Sequence, residues 1–577
     1  MRLQKPVLFR LYQQEFGSYS RTHFQRDLIA GLTVSAVALP LALAFGVASG
    51  ATAAAGLVTA IIAGVVIGAL SGAPYQISGP TGAMSAVLIL VGQQHGLQGI
   101  WIAGVMAGMM ILLLGIFHLG RIVNFIPVPV ITGFTSGIAL IILIGQIDNA
   151  LGIETEAAES TAIKLFNYFS QPLPDISYQA VICTLIVGAV MVGLPRLPGV
   201  KRVPAALMGI ALVTTMAWLL NWDVASIGAI PRSIILEDRL VFNLVDLEMV
   251  GSLLGPAAAI AALGSIESLL AGVVAGRMTG TRLEVNQELV GQGIGNIIIP
   301  FFGGVPATAA IARISVAVKA GGMTRMVSFI HSGALLASAL LLSRMIAAIP
   351  LAALAGVLIV TSWRMNEWHV IRFYVHRRMV SPVLVMIVTM LATIALDLTQ
   401  AILIGLGVSL LFFLVQVSRL TIIPTDVDWD RMRKAGLDVT TETPGVKVVY
   451  ISGSLFFGAV QQFTEAIESL PHAPVLILSM RGVPMADVSC VHALEHMWVT
   501  QRRAGGQLLI TGLQPQVQRV MDRSGLVDMI GEDRFFWSAD QAILAAADFH
   551  PGSQAQAPLT TDTPELDDMP LGVVKVD

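Results

Sequence analysis

Apolar stretches of about 20 residues follow one another from near Asp27 to near Leu420 with short polar loops between them, each long enough to cross a hydrocarbon core of ~30 Å. The pattern predicts an all-α polytopic membrane domain over 27–420 with room for roughly twelve to fourteen crossings. The period changes after Leu420. A polar connector over 421–445 leads to strand-like VKVVYI from Val446, a helical stretch Ala459–Leu470, and a second strand VLILSM from Val475. A helix from about Val491, a strand QLLITG from Gln507 and a helix from Gln514 complete the series. Strands alternating with helices at this spacing predict a small α/β domain over 446–548 with a largely parallel sheet. The polar, Pro-bearing stretch 549–577 reads as a disordered tail.

Composition agrees with a membrane protein. The chain has 577 residues, 55% hydrophobic and 12% charged, against about 25% charged in soluble domains. No cleavable signal sequence is read ahead of the first span. The segment 1–26 carries Arg2, Lys5, Arg10, Arg21 and Arg26, which the positive-inside rule places in the cytoplasm. Counted from there, basic clusters at Arg196/Lys201/Arg202, Arg277/Arg282, Lys319/Arg325 and Arg372/Arg377/Arg378 follow even-numbered spans, hence inside. Acidic loops with Glu154, Glu156, Glu159 and Asp175, and with Asp223, Glu237, Asp238 and Asp246, fall outside. Both termini are therefore expected in the cytoplasm of a bacterial inner membrane. The net charge of −3 gives no basis for a nucleic-acid partner, and Cys183 and Cys490 make no disulfide framework.

Two segments break the helical pattern at corresponding places in the two halves: GAPYQISGPTGAM over 72–84 and FFGGVPATAAIAR over 301–313. Each leads into a short helical stretch, Thr81–Val91 and Ala307–Lys319, too short to cross the bilayer. Pro40 precedes Thr81 by the same interval that Glu267 precedes Thr308. Paired Gly/Pro-interrupted short helices point to an inverted-repeat secondary transporter with its site near the midplane. A helix starting inside the membrane aims unpaired N–H donors and roughly +0.5 of a charge at whatever lies before it. Two such ends make an anion site. Ser78, Gly79 and Thr81 at the first break and Ala307, Thr308 and Ala309 at the second are the candidate anion contacts, with Pro40, Ala44 and Phe45 as an apolar wall. Glu267 stands within the apolar stretch 255–276. A carboxyl group there costs several kcal/mol unless protonated, paired or set beside water, which marks it as the coupling residue.

These residues resemble the SulP anion permeases, whose members carry sulfate, bicarbonate, oxalate or dicarboxylates. The resemblance rests on DLIAGLTVSAVALPLALAFGVASG from Asp27, ISGPTGAM from Ile77, ALGSIESLLAG from Ala262 and VNQELVGQGIGNIIIPFFGGVPATAAIAR from Val285. The C-terminal domain is similar to STAS modules. The resemblance implies fourteen spans in two inverted repeats of seven, a core domain moving against a gate, and a homodimer in membrane lipid. It also places Arg313 near the anion. ATAAAGLVTA from Ala51 replaces the Pro-x-Tyr-Gly-Leu-Tyr pattern of many eukaryotic sulfate carriers, and sodium-coupled bicarbonate members carry Asp where this chain has Glu267. The coupling ion is left as H+ or Na+, with no other cofactor. The expected substrate is bicarbonate, a C4-dicarboxylate or sulfate, in that order.

Other motifs carry less. No Gly-Lys pair occurs, so no Walker loop drives transport with ATP. His492, Glu495 and His496 spell H-x-x-E-H beside Cys490, but a surface helix accounts for them better than a metal does. Ser489, after Asp487, occupies the place of the phosphorylated serine in STAS anti-sigma antagonists. Its plainer role is an N-cap for the helix from Val491. The expected function is secondary active transport of a small anion by an elevator motion, not an enzymatic activity. The alternatives are an uncoupled anion channel or an anion sensor that signals to a protein partner of the STAS domain.

Overall fold

The computed structural model describes residues 7–120, 127–155, 161–170, 174–197, 204–228, 233–241, 247–396, 398–434, 437 and 442–546. Arg2, Lys5, Glu156, Glu159, Lys201, Arg202, Asp246, the Arg277 side chain and the tail from 549 lie outside them. The chain divides into two compact units, Met1–Ser409 and Leu410–Asp577.

The first unit is helical. It opens with α1 (Val7–Phe16), α2 (Arg21–Ala48), α3 (Ala53–Leu70), α4 (Gly82–Ile116), α5 (Val128–Gly145), α6 (Ile147–Leu151), α7 (Thr161–Ser170), α8 (Tyr178–Gly193) and α9 (Ala205–Leu219). It continues with α10 (Leu247–Thr279), α11 (Val285–Ile298), α12 (Ile311–Lys319), α13 (Met326–Leu341), α14 (Ser343–Ala347), α15 (Leu351–Met365), α16 (Trp368–His376), α17 (Val380–Ala395) and α18 (Leu398–Val417). Among the described residues, seven helices are long and apolar enough to cross a membrane, and Ala205–Leu219, Met326–Leu341 and Val380–Ala395 are shorter apolar helices.

Small residues let the helices of the central cluster close on one another. A Cβ on Gly56 of α3 would stand 2.0 Å from the Ala42 carbonyl oxygen of α2, and one on Gly293 of α11 would stand 2.5 Å from the Leu112 nitrogen of α4. Close backbone approach at small residues is how helices pack without a hydrophobic driving force between them.

The basic N-terminal segment is tied down where described. Arg325 Nη2 and Nε donate to the Glu15 carboxylate at 2.5 and 3.0 Å, its Nη1 donates to the Ala69 carbonyl at 2.7 Å, and its guanidinium lies 4.2 Å from the Tyr12 ring centre. Asp27, buried, accepts from Tyr19 Oη, the Met323 N–H and Thr324 Oγ1. Ser20 caps a first long helix that begins at Arg21, ahead of the expected Asp27.

The second unit holds a five-stranded sheet in the order β3 (Thr421–Asp426), β4 (Val446–Ser452), β5 (Val475–Gly482), β6 (Gln507–Thr511), β7 (Phe535–Phe536). β3 runs antiparallel to β4; the other pairs are parallel. Strand alternation supplies both faces. Leu476, Leu478, Leu508 and Ile510 join one buried cluster, while Val475, Ile477 and Leu509 join another. β3 falls within the stretch read as a connector, where TIIPTD lacks an alternating apolar pattern and is exposed along most of its length. Helix Val488–Arg503 starts three residues before the expected Val491, because Asp487 caps it by accepting from the Cys490 N–H at 3.1 Å. Ser489 is therefore inside the first turn rather than at the cap. Cys490 is buried in the domain core, whereas the His492 side chain is 72% exposed and 3.4 Å from Glu495.

Candidate functional site

The two breaks meet as a miniature sheet, β1 (Ser78–Gly79) antiparallel to β2 (Thr308–Ala309), with Ser78 opposite Ala309 and Gly79 opposite Thr308. Pairing satisfies backbone groups that would otherwise be orphaned in a membrane interior. It also corrects the expected helix start at Ala307. Thr308 and Ala309 are strand, the Ala310 N–H donates to the Ile77 carbonyl at 3.1 Å, and the helix begins only at Ile311.

Arg313 consequently sits in the first turn of α12, not one and a half turns in. The N-cap Ala310 has no side chain able to cap, so the first turn of α12 carries no side-chain cap. The first half-helix begins at Gly82 after the N-cap Thr81 and continues past Val91 to Gly96, whose φ of +65° and ψ of −169° break the ladder within α4. The expected end at Val91 is thus four residues short of His95, since Gly92 keeps helical backbone and only Gly96 adopts a positive φ.

In front of these termini lies a cavity of about 510 Å³. Of the expected site residues, Phe45, Thr81, Glu267, Ala309 and Arg313 line it. Ser78, Gly79, Ala307 and Thr308 do not line it; they lie in or beside the paired β1–β2 segment. Gly82, Ala83, Ile311 and Ala312 line it too. Their side chains carry no polar atom, and so gave no sequence signal. Arg364, Glu367 and His369, with Thr135, Thr361 and Asn366, add further polar lining.

Three contacts tie the breaks to α10 and to each other. Thr81 Oγ1 donates to Glu267 Oε2 at 3.0 Å and accepts from the Met84 N–H. Ser268, the next residue of α10, shares a 3.0 Å hydrogen bond with Thr308 Oγ1 and accepts from the Ala309 N–H at 3.2 Å. Arg313 reaches back across the pair, donating Nη2 to the Pro80 carbonyl at 2.8 Å. Its side chain is 1% exposed and its Nη1 has no hydrogen-bond partner among the described residues. A buried guanidinium with a free donor beside a cavity is an electrostatic invitation to an anion, because an uncompensated buried charge costs several kcal/mol. Gly79 makes room for it: a Cβ there would lie 2.1 Å from Arg313 Nη1.

Phe45, buried, packs on the first half-helix, its Cε1 lying 3.1 Å from where a Gly82 Cβ would be. Its carbonyl accepts from Ser85 Oγ at 3.0 Å. Ala44 is fully buried nearby on α2.

Comparison with known proteins gives the family and the fold. The family model described as Sulfate permease family matches residues 24–391 and the STAS domain model matches 439–542. The chain is similar to the putative sulfate transporter YvdB of Bacillus subtilis, 35% identical over 538 residues that cover 92% of this chain and 99% of that one. It is 28% identical over 544 residues to the bicarbonate transporter BicA of Synechocystis, covering 91% and 95%. In fold it matches the murine Solute Carrier 26 family member A9 anion transporter in the inward-facing state, with a TM-score of 0.82 at 19% identity over 95% of this chain and 96% of that chain.

Proposed function

Because the chain belongs to the sulfate permease family, an integral membrane transport family with a STAS domain, we propose that it carries a small oxyanion, sulfate or bicarbonate, through the cavity before its two half-helices. The observation that carries this reading is Arg313: its buried side chain lines the cavity together with the uncapped N-terminus of α12, and its Nη1 has no hydrogen-bond partner among the described residues. An oxyanion fits a planar guanidinium donor and free backbone N–H groups better than a neutral solute would.

Glu267 is the coupling group in this proposal. Its carboxylate shares Thr81 with the first half-helix, so its charge state bears directly on a residue of the anion site. Loading Glu267 with H+, or a Na+ ion beside it, offsets the charge the anion brings. In this proposal the fourteen spans, in two inverted repeats of seven, are α2, α3, the two parts of α4 on either side of Gly96, α5, α8 and α9, then α10, α11, α12, α13, α15, α17 and α18. Movement of a core holding both breaks against a gate gives alternating access in a homodimer with both termini cytoplasmic.

The test is uptake of labelled bicarbonate, sulfate and fumarate by proteoliposomes holding the full chain. Saturable uptake of bicarbonate or sulfate, with competition by the other oxyanion, is the expected result. Saturable uptake of fumarate alone would move the substrate to the C4-dicarboxylates, and no saturable uptake of any of the three would overturn the reading.

A further inference from the structure

Glu288, Gln292 and Asn296 recur at every fourth residue of α11 and so share one helix face. Each is at most 1% exposed. Three polar side chains stacked inside a membrane domain are expensive unless hydrogen-bonded, and their bonds run to the two breaks. Glu288 accepts from Ser71 Oγ at 2.7 Å and from the Gly72 N–H at 2.9 Å, where the first break begins. Gln292 donates Nε2 to Ser78 Oγ of β1 at 2.8 Å and to Glu288 Oε1 at 2.9 Å. Asn296 clasps a single residue of the second break, accepting from the Ala307 N–H at 2.7 Å and donating to the Ala307 carbonyl at 2.9 Å.

One straight helix therefore grips the start of the first break, the first strand and the residue just before the second strand. The chain is pressed close enough for this to hold. A Cβ on Gly72 would stand 2.2 Å from the Glu284 carbonyl oxygen, and one on Gly291 would stand 2.9 Å from the Leu70 carbonyl oxygen. None of the three polar side chains lines the cavity, so none reaches a bound anion.

We propose that the Glu288, Gln292 and Asn296 stripe is a positioning device that fixes the two half-helix N-termini at the spacing the anion requires, setting affinity through the breaks without touching the substrate. This rests on the anion-transport reading of the cavity. Glu288 anchors the stripe with a carboxylate that accepts from Ser71, Gly72 and Gln292. Gln292 and Asn296 transmit its register to Ser78 and Ala307, and through the β1–β2 pair to Thr81 and Arg313.

A neighbouring residue provides the control. Gln287 on the same helix donates to the Leu70 carbonyl at 2.7 Å, a bond to the end of α3 and not to a break. If the stripe only glues helices together, Gln292→Leu, Asn296→Asp and Gln287→Leu will behave alike. Positioning predicts a split. Gln292→Leu and Asn296→Asp raise the anion KM by about tenfold or more, the scale expected when binding groups shift by a fraction of an ångström, while maximal uptake per folded protein stays within about twofold. Gln287→Leu leaves KM unchanged.

The measurement is initial-rate uptake against anion concentration for the full chain in proteoliposomes, with melting temperature and size-exclusion profile recorded for each variant. Wild type is run first: if it moves no anion, the functional reading fails before the stripe is in question. If wild type transports, the proposal is overturned when both stripe variants keep the wild-type KM, or when neither can be obtained folded and the stripe is then simply structural.

Discussion

Gly79 and Arg313 illustrate how far single residues could be read. The sequence marked Gly79 as part of a break and Arg313, through a resemblance, as near the anion; their mutual dependence, a glycine without a Cβ beside a buried guanidinium, required coordinates. Gly79→Ala places a methyl group 2.1 Å from Arg313 Nη1, so the guanidinium must leave its place against Pro80. Uptake of the transported anion is expected to fall at least about tenfold, while a size-exclusion profile like that of wild type shows the fold retained. Wild-type kinetics in Gly79→Ala would separate Arg313 from the site.

In the C-terminal unit, burial, aided by the Asp487 carboxylate, pushes the Cys490 thiol up to about 12. The folded value lies above that of a free thiol, so the associated stability is complete below the free-thiol range and is lost as pH rises toward 12. Cys490 is expected to resist maleimide at pH 8 in the native chain and to react once denatured, as peptide mapping of the labelled protein will show. Rapid native labelling would contradict its burial.

At the scale of elements, the breaks were legible because Gly and Pro interrupt apolar runs, and the central STAS strands because short apolar runs alternate with helical stretches. What remained hidden depends on partners distant in sequence. No local pattern says that Ser78 pairs with Ala309, that Asn296 holds Ala307, or that TIIPTD joins β4 at the sheet edge. Local signals also set the start of the second half-helix too early, because Thr308 and Ala309 are held as strand by tertiary bonds.

α1 shows the same limit. The basic residues of segment 1–26 suggested only a cytoplasmic segment, yet Glu15 neutralises Arg325, which is 1% exposed. Removing one partner of a buried ion pair costs about 3–5 kcal/mol. Glu15→Ala is therefore expected to lower the melting temperature of the detergent-solubilised chain clearly, and Arg10→Ala, whose partner Glu284 is exposed, to change it little. Equal effects would argue against the buried pair as the anchor of α1.

Across the whole molecule, the division into a helical membrane unit and an α/β unit follows from a change in hydrophobic period that any window of the sequence reveals. The account's central claim is narrower: two paired breaks position helix N-termini and Arg313 for an anion, and Glu267 links that anion to a driving cation. The most direct measurement compares accumulation of the transported anion, under an inward proton gradient and then an inward sodium gradient, in wild type and Glu267→Gln proteoliposomes. The account predicts accumulation above equilibration with one of the two gradients in wild type, and bare equilibration with either in Glu267→Gln. Wild type that never exceeds equilibration, or a Glu267→Gln protein that still accumulates the anion, would contradict it.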